Sequence, residues 1–383
     1  MLAHALEGGR VAHAYLLHGP AGTGARAAAL ALGQALLCER RGAMAPPGDA
    51  CGACSACARA ARLVHPDLHV YLPFPKTSTQ AGRDDRPNDY AERLERLAAD
   101  PYAPADYRAR AKLGDEAPST KAVEHRRGPV EEFLRHEMTF VPVEGRRTVG
   151  VLVDADRLRV EAANSVLKLL EEPNPAVVLV LTAERLDAVL PTIVSRCQQV
   201  RFDPLAPDAI ERALVAREHV DPARAAFVAR MADGSYTRAL ELVSSEALAE
   251  HRDLALDFLR AAYSGRPERL APVVDRAAAL GREALKGWLG LVLAWVRDLV
   301  LVRAAGPSAP IVNVDQAAAI SAFVAHPPDA DPAAMAGLVE EAAMALRANP
   351  SPALVLAVLG HALADAMRGR GAGRLVTPLD HAV

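Results

Sequence analysis

At roughly 150 residues per domain, a chain of 383 residues predicts two or three domains, and its 51% hydrophobic content is enough to give each a core. A small disulfide-stapled or disordered protein is excluded. Forty-four Lys+Arg against 47 Asp+Glu leave a formal charge of -3, without the basic excess that binding to a phosphate backbone usually shows. Two Trp, seven Tyr and seven Phe are too few for base-stacking platforms.

The N-terminus, Met1 to Arg10, has no basic region followed by an apolar one, so no secretory signal is read. The apolar run Gly287 to Val296 is broken by Arg297 and Asp298 after about half the length that a bilayer span needs. The expectation is a cytoplasmic protein with no membrane partner. Five cysteines, four of them between positions 38 and 57, fit a reduced compartment and a metal site better than a disulfide framework.

In chain order, short apolar runs at Ala14–His18, Leu68–Tyr71, Val149–Val153 and Ala176–Thr182 read as buried strands. Helical periodicity covers Ala25–Cys38 and Glu161–Glu172; the second places Ala163, Val166, Leu167 and Leu170 on one face and stops at Pro173. Strands alternating with helices predict an α/β fold with a mostly parallel, doubly wound sheet. Between Leu72 and Pro129 the pattern is lost among prolines and charge clusters, which reads as an insertion with one short helix from Asp89 to Ala99 and otherwise loop. Beyond Phe202 the texture is wholly helical: a short unit to about Val243 and a longer one from Ser245, with breaks at Gly265-Arg-Pro267, Ala305-Gly-Pro307 and His326-Pro-Pro328. No fixed-period repeat is evident.

Gly19-Pro-Ala-Gly-Thr-Gly24 follows an apolar strand and opens a helix, the context in which a glycine-rich loop, here with Gly19, Gly22 and Gly24, turns backbone N–H groups toward phosphate. A working loop continues with Lys and Ser or Thr, and those places hold Ala25 and Arg26. A tight turn that binds nothing is the favoured reading, and residual nucleotide binding with Arg26 as substitute cation is the other. An ATP site also needs acidic residues at a strand end, for magnesium and for the attacking water. The chain reads Val153-Asp-Ala-Asp156 there, so Val153 stands where the metal-associated Asp belongs and the shorter Asp154 where the base belongs.

Cys38, Cys51, Cys54 and Cys57 form a C-x12-C-x2-C-x2-C set, and four thiolates without an open position suit structural Zn2+. An iron–sulfur cluster fits less well because no Cys-Pro follows at the usual distance, four free thiols are the bland alternative, and His65 is a conceivable substitute for Cys38. Pro191-Thr-Ile-Val-Ser-Arg-Cys197 contains Ser195-Arg196-Cys197, the most specific short motif in the chain.

Together with Ala162-Ala-Asn-Ser-Val-Leu-Lys-Leu-Leu-Glu-Glu-Pro173 and His13-Ala-Tyr-Leu-Leu-His-Gly-Pro20, these motifs resemble the AAA+ clamp-loader subunits of bacterial DNA polymerase III. The resemblance covers most of residues 1 to 200 and implies an AAA+ domain at 1–202 with a zinc module at 38–57 and an insertion at 72–129, a helical lid at 203–244 and a helical collar at 245–383. It implies a subunit that joins gamma/tau motor subunits and a delta subunit, meets the sliding clamp and primer–template DNA through the assembly, and supplies Arg196 as an arginine finger in trans. Thr182 falls at a sensor position, and Thr237 lies where motor subunits carry a second sensor arginine, one residue before Arg238. With these departures the expectation is a non-catalytic subunit with ATP unbound or bound without hydrolysis. A weak ATPase of the same fold and a free-standing zinc-containing nucleic-acid-binding protein are the alternatives. The insertion and the long cysteine spacing depart from the family's lengths and inherit no role.

Overall fold

The computed structural model describes residues 1–40, 45–75, 90–102, 123–125, 127–136, 138, 141–245, 247–326, 329–346 and 351–370. Two compact units are present: Met1–Ile210 with Ala232–Glu241, and Glu211–Met231 with Leu242–Val383.

The first unit is α/β. It runs through α1 (Leu2–Glu7), β1 (Ala14–His18), α2 (Ala25–Leu37), α3 (Ser55–Ala61), β2 (Leu68–Tyr71), β3 (Phe74–Pro75), α4 (Tyr90–Ala99), β4 (Val123–Glu124) and α5 (Arg127–His136). It continues through β5 (Thr148–Leu152), α6 (Val160–Glu171), β6 (Val177–Ala183), α7 (Pro191–Val194) and β7 (Gln198–Arg201). The main sheet has the order β2-β5-β6-β1-β7, and every pairing in it is parallel. All residues of β5 and β6 are buried, as their unbroken apolar runs require of strands covered on both faces. The expected parallel sheet with flanking helices is therefore present.

The four expected strands form within a residue of their predicted ends, and a fifth was not foreseen. β7 reads Gln-Gln-Val-Arg and is mostly exposed, so it carries no apolar run; pairing with β1 alone makes it a strand.

The described residues of the segment read as an insertion hold more secondary structure than expected. α4 is present as expected, but β3 and β4 pair antiparallel where only loop was expected, and α5 begins inside the segment. Residues 76–89 and 103–122 of it lie outside the described residues. The Tyr90 hydroxyl accepts from Leu72 N at 2.9 Å, Leu97 is buried in the sheet's core, and His125 is bridged to the chain after β5: its N–H donates to the Arg157 carbonyl and its carbonyl accepts from Arg159 N. These attachments close the insertion back onto the sheet, an effect of tertiary packing that local composition does not carry.

The second unit is helical among its described residues: most of α8 (Pro207–Glu218), α9 (Pro222–Met231), the end of α10 (Tyr236–Ser244), α11 (Leu248–Ser264), α12 (Pro267–Ala278), α13 (Arg282–Ala305), α14 (Ala317–Ala325), α15 (Pro332–Ala345) and α16 (Pro352–Ala366). Gly265 ends α11 in the left-handed region, at φ 64°, the stop that glycine favours. The run Gly287–Val296 lies inside α13, whose buried Asp298 carboxylate accepts from Val312 N, Asn313 N and Asn313 Nδ2, each at 2.8 Å. A buried charge is tolerable when so fully hydrogen-bonded. Among the described residues no helix is long and apolar enough to cross a membrane.

His125 gives the fold a pH signature. Its ring is buried, Nε2 lies 2.6 Å from the Val153 carbonyl, and Nδ1 has no hydrogen-bond partner among the described residues. Burial first, with some help from the Arg157 charge, lowers its pKa to about 4. The folded state thus binds the proton more weakly than the unfolded chain, whose histidine titrates near 6.5, so stability is complete above about pH 6.5 and falls as the pH drops toward 4. Denaturant unfolding at pH 7 and pH 5 is expected to show a loss from this residue of roughly 2 kcal/mol, absent in His125→Gln; equal losses in the two proteins would show that the imidazole is not the group responsible.

Candidate functional site: a closed glycine-rich loop and a four-cysteine cluster

Two strands that lie side by side at the centre of the sheet end at the candidate site. β1 pairs with β6 from Ala14↔Leu179 to His18↔Ala183, so the glycine-rich loop leaves the sheet directly beside Thr182 and Ala183, and Gly19 N donates to the Ala183 carbonyl at 3.1 Å. Gly19 has no room for a side chain: a Cβ would lie 2.1 Å from the Phe202 carbonyl oxygen. Gly22 and Gly24 have φ of +75° and +107°, conformations that L side chains rarely adopt. The loop is also tied to itself, with Thr23 N and Oγ1 both donating to the Pro20 carbonyl, at 3.3 and 2.8 Å.

Where a triphosphate would require cations, the walls carry carboxylates. Asp154 and Glu184 line the cavity with Arg26, Thr182 and Thr237, and the cavity measures only about 30 Å³, enough for a water or two. The Glu184 carboxyl is pushed up by burial and then by the neighbouring Asp154 and Asp156 charges. Thr182, expected at a sensor position, is already engaged, its hydroxyl accepting from Asp154 N at 2.9 Å. Asp154 takes up the left-handed region at φ 55° and is paired with Arg157 at 3.6 Å. Val153 is buried, its N–H on the Tyr71 carbonyl. Gly19, Gly22, Gly24, Thr182 and Thr237 thus converge on one place, and so do two residues that the sequence reading had left without a role, Pro101 and Tyr102.

Arg196 lies apart from that cavity, just after α7, which Pro191 starts. Its guanidinium meets Glu171 at 3.0 Å and the Thr192 carbonyl at 3.1 Å, with its side chain 38% exposed. Cys197 beside it is buried, which pushes its thiol up to about 12 and leaves it unreactive.

The four cysteines do come together. Cys38 follows α2, Cys54 caps α3, and Cys57 lies one helical turn on; the four sulfurs lie within 4.8 Å of one another. Cys51 and Cys57 Sγ are 3.9 Å apart, against about 3.8 Å for the edge of a tetrahedron with 2.3 Å zinc–sulfur bonds. Cys51 N donates to Cys38 Sγ and Cys57 N to Cys54 Sγ, each at 3.4 Å, while the backbone at Ala53 and Cys54 lowers the Cys51 thiol to about 6. All are free of disulfides, so the donor set fits a metal ion, and zinc is compatible with it. His65 is not in the cluster: its Nδ1 accepts from Asp67 N at 3.1 Å. The module is fixed to the sheet by Asp67, whose carboxylate accepts from Val143, Glu144 and Gly145 N, and by the Arg59–Glu144 pair.

Comparison with known proteins adds the lineage. Residues 1–206 match the family described as DNA polymerase III, delta subunit. The delta' subunit of DNA polymerase III from Bacillus subtilis (strain 168) is 27% identical over 305 residues, 79% of this chain and 76% of its own length. The delta' subunit from Pseudomonas aeruginosa is 31% identical over 194 residues, half of this chain and 44% of that protein, and the tau subunit from Salmonella typhimurium 31% over 172 residues, 39% and 27%. A gamma subunit-related protein from Thermotoga maritima aligns over 96% of this chain and all of its own at 14% identity, with a TM-score of 0.39, too low to bear on the fold. The chain belongs to the DNA polymerase III delta subunit family, and within it stands with the delta prime clamp-loader subunits.

Proposed function

We propose that the chain is a non-hydrolysing subunit of the DNA polymerase III clamp loader, assembled with gamma/tau and delta subunits to load the sliding clamp on primed DNA. The observation that carries this reading is the small cavity at the glycine-rich loop, lined by Asp154 and Glu184, with Ala25, Arg26 and Val153 at the places where phosphoryl transfer needs a lysine, a loop hydroxyl and a metal-associated aspartate. A weak ATPase of the same fold is disfavoured by the same residues. On this reading residues 1–202, 203–244 and 245–383 are the AAA+, lid and collar parts of a cytoplasmic protein, and Zn2+ held by Cys38, Cys51, Cys54 and Cys57 is structural.

Arg196 is the functional group of the subunit in this account, acting on the γ-phosphate held by a neighbouring motor subunit. Glu171 supports the assignment by its weakness as a partner: an exposed ion pair contributes only about 0–1 kcal/mol, so the guanidinium exchanges it for a phosphate at little cost. Until then the pair keeps the side chain extended along α6 and α7.

The free chain is expected to hydrolyse no ATP above background, checked by phosphate release from pure protein; steady turnover that a Gly24 substitution abolishes would favour the weak ATPase. Metal analysis should give about one zinc per chain, falling toward zero in the double variant Cys54→Ala, Cys57→Ala with local unfolding of the module; iron, or full zinc retention in the variant, would contradict the assignment. Arginine fingers contribute roughly 10³ to 10⁵ in rate, yet a ring with several ATP sites hides the loss of one. Arg196→Ala in the assembled loader should therefore lower DNA-stimulated ATPase by no more than one site's share and clamp loading by more, with assembly intact. Lys at this position should rescue poorly because a point charge lacks the planar fork; loading at the wild-type rate by the Ala variant would reduce Arg196 to a structural charge.

A further inference from the structure

The glycine-rich loop is covered by the segment that follows α4. Pro101 cannot continue the helix, and Asp100 Oδ1 accepts from Tyr102 N at 2.8 Å, which turns Tyr102 back toward the sheet. There its hydroxyl would lie 3.2 Å from a Cβ on Gly24, against the face of the loop where phosphate oxygens sit in a working nucleotide site. Its carbonyl accepts from Thr237 Oγ1 at 2.6 Å, and its ring meets Tyr236 edge-on, centroids 5.2 Å apart at 83°. The circuit closes through Tyr236 N, which donates to the Gly22 carbonyl at 3.0 Å, and through Ser235, whose Oγ would lie 2.2 Å from a Cβ on Gly22.

We propose that Tyr102 is a built-in occupant of the glycine-rich loop, seated against Gly24 and held by Thr237, so that the chain's own side chain fills the place of a nucleoside triphosphate and joins the loop to the start of α10. Three contacts link the loop to Tyr236, α10 to Tyr102, and Tyr102 to the loop, which makes the arrangement a closed cycle rather than a chance approach. The remaining space of about 30 Å³ admits a water or two, so a triphosphate enters only if Tyr102 leaves. A protein side chain thus ties the loop to the start of α10 without nucleotide or hydrolysis. This inference rests on the reading of the loop as a non-hydrolysing site but not on Arg196, and it is tested on the free chain, so its failure leaves the finger assignment standing.

The experiment is amide hydrogen exchange of the full chain, followed in peptides covering residues 19–27 and 234–239, in the wild type, Tyr102→Ala, Tyr102→Phe and Thr237→Val. Thr237→Val, which removes the hydrogen bond, should speed exchange in both peptides by about threefold, and Tyr102→Ala, which removes the ring but keeps the carbonyl, by about tenfold. Tyr102→Phe, which keeps the packing and the carbonyl acceptor, should remain near the wild type. Should Tyr102→Ala fail to fold, Thr237→Val still decides, because it removes one donor at nearly constant volume. Wild-type exchange in both peptides of Thr237→Val and Tyr102→Ala would overturn the proposal. So would measurable binding of MgATP by the wild type that Tyr102→Ala does not tighten, because Tyr102 would then be occupying nothing.

Discussion

The parallel pairing of β1 with β6 is the constraint on which the rest depends. It runs through buried residues of both strands, all of β6 and Ala14–Leu17 of β1, so side-chain packing on both faces of the sheet holds the two strands in place. That register sets Gly19 beside Ala183, and the adjoining pairing of β5 with β6 brings Asp154 within hydrogen-bonding reach of Thr182. Ligands of open α/β sheets sit at the carboxyl ends of the strands, and here that edge is built although Ala25 and Arg26 stand where a phosphate-binding loop carries Lys and Ser or Thr. The scaffold is retained because it is the core: glycines at 19, 22 and 24 are required by close approach and positive φ whether or not a phosphate is bound.

How the site is finished is a matter of charge and volume. A triphosphate approaching the loop would face Asp154 and Glu184 with Arg26 alone among the lining residues to offset them, and like charges at short range in a partly buried site cost several kcal/mol. Glu184 already responds to that environment in isolation, its carboxyl raised by burial and by Asp154 and Asp156. A neutral phenol in the same place adds no charge, buries an aromatic ring and keeps α10 in position. On the proposed reading the cation offered to chemistry lies elsewhere, at Arg196, which Glu171 balances without burying it.

Much of this was legible in the sequence, and what was not has physical reasons. β5 and β6 are apolar throughout, so their burial on both faces could be read directly, and the cysteine spacing already implied convergence because two-residue gaps leave few other arrangements. β7 could not be read, since Gln198-Gln-Val-Arg201 is a strand only by virtue of its neighbour. The described parts of the segment from 72 to 129 were hard to read for the same reason: its prolines and charges disfavour a local structure, yet Tyr90 is attached to β2 and His125 to the chain just after β5 through contacts spanning 20 to 34 residues. Tyr102 carried no motif at all. Its partner Thr237 is 135 residues away, a distance over which neither periodicity nor spacing speaks, and the only hint was the resemblance, which implies a second sensor arginine of motor subunits at Thr237.

The structure of the assembled clamp loader, trapped with a non-hydrolysable ATP analogue, tests the central claim most directly. The account predicts density for nucleotide at the motor subunits and none at this chain's glycine-rich loop, Tyr102 seated against Gly24, and the Arg196 guanidinium released from Glu171 to within about 3 Å of a neighbour's γ-phosphate oxygen. Nucleotide bound at the loop of this chain, with Tyr102 displaced and Arg196 still on Glu171, would contradict it.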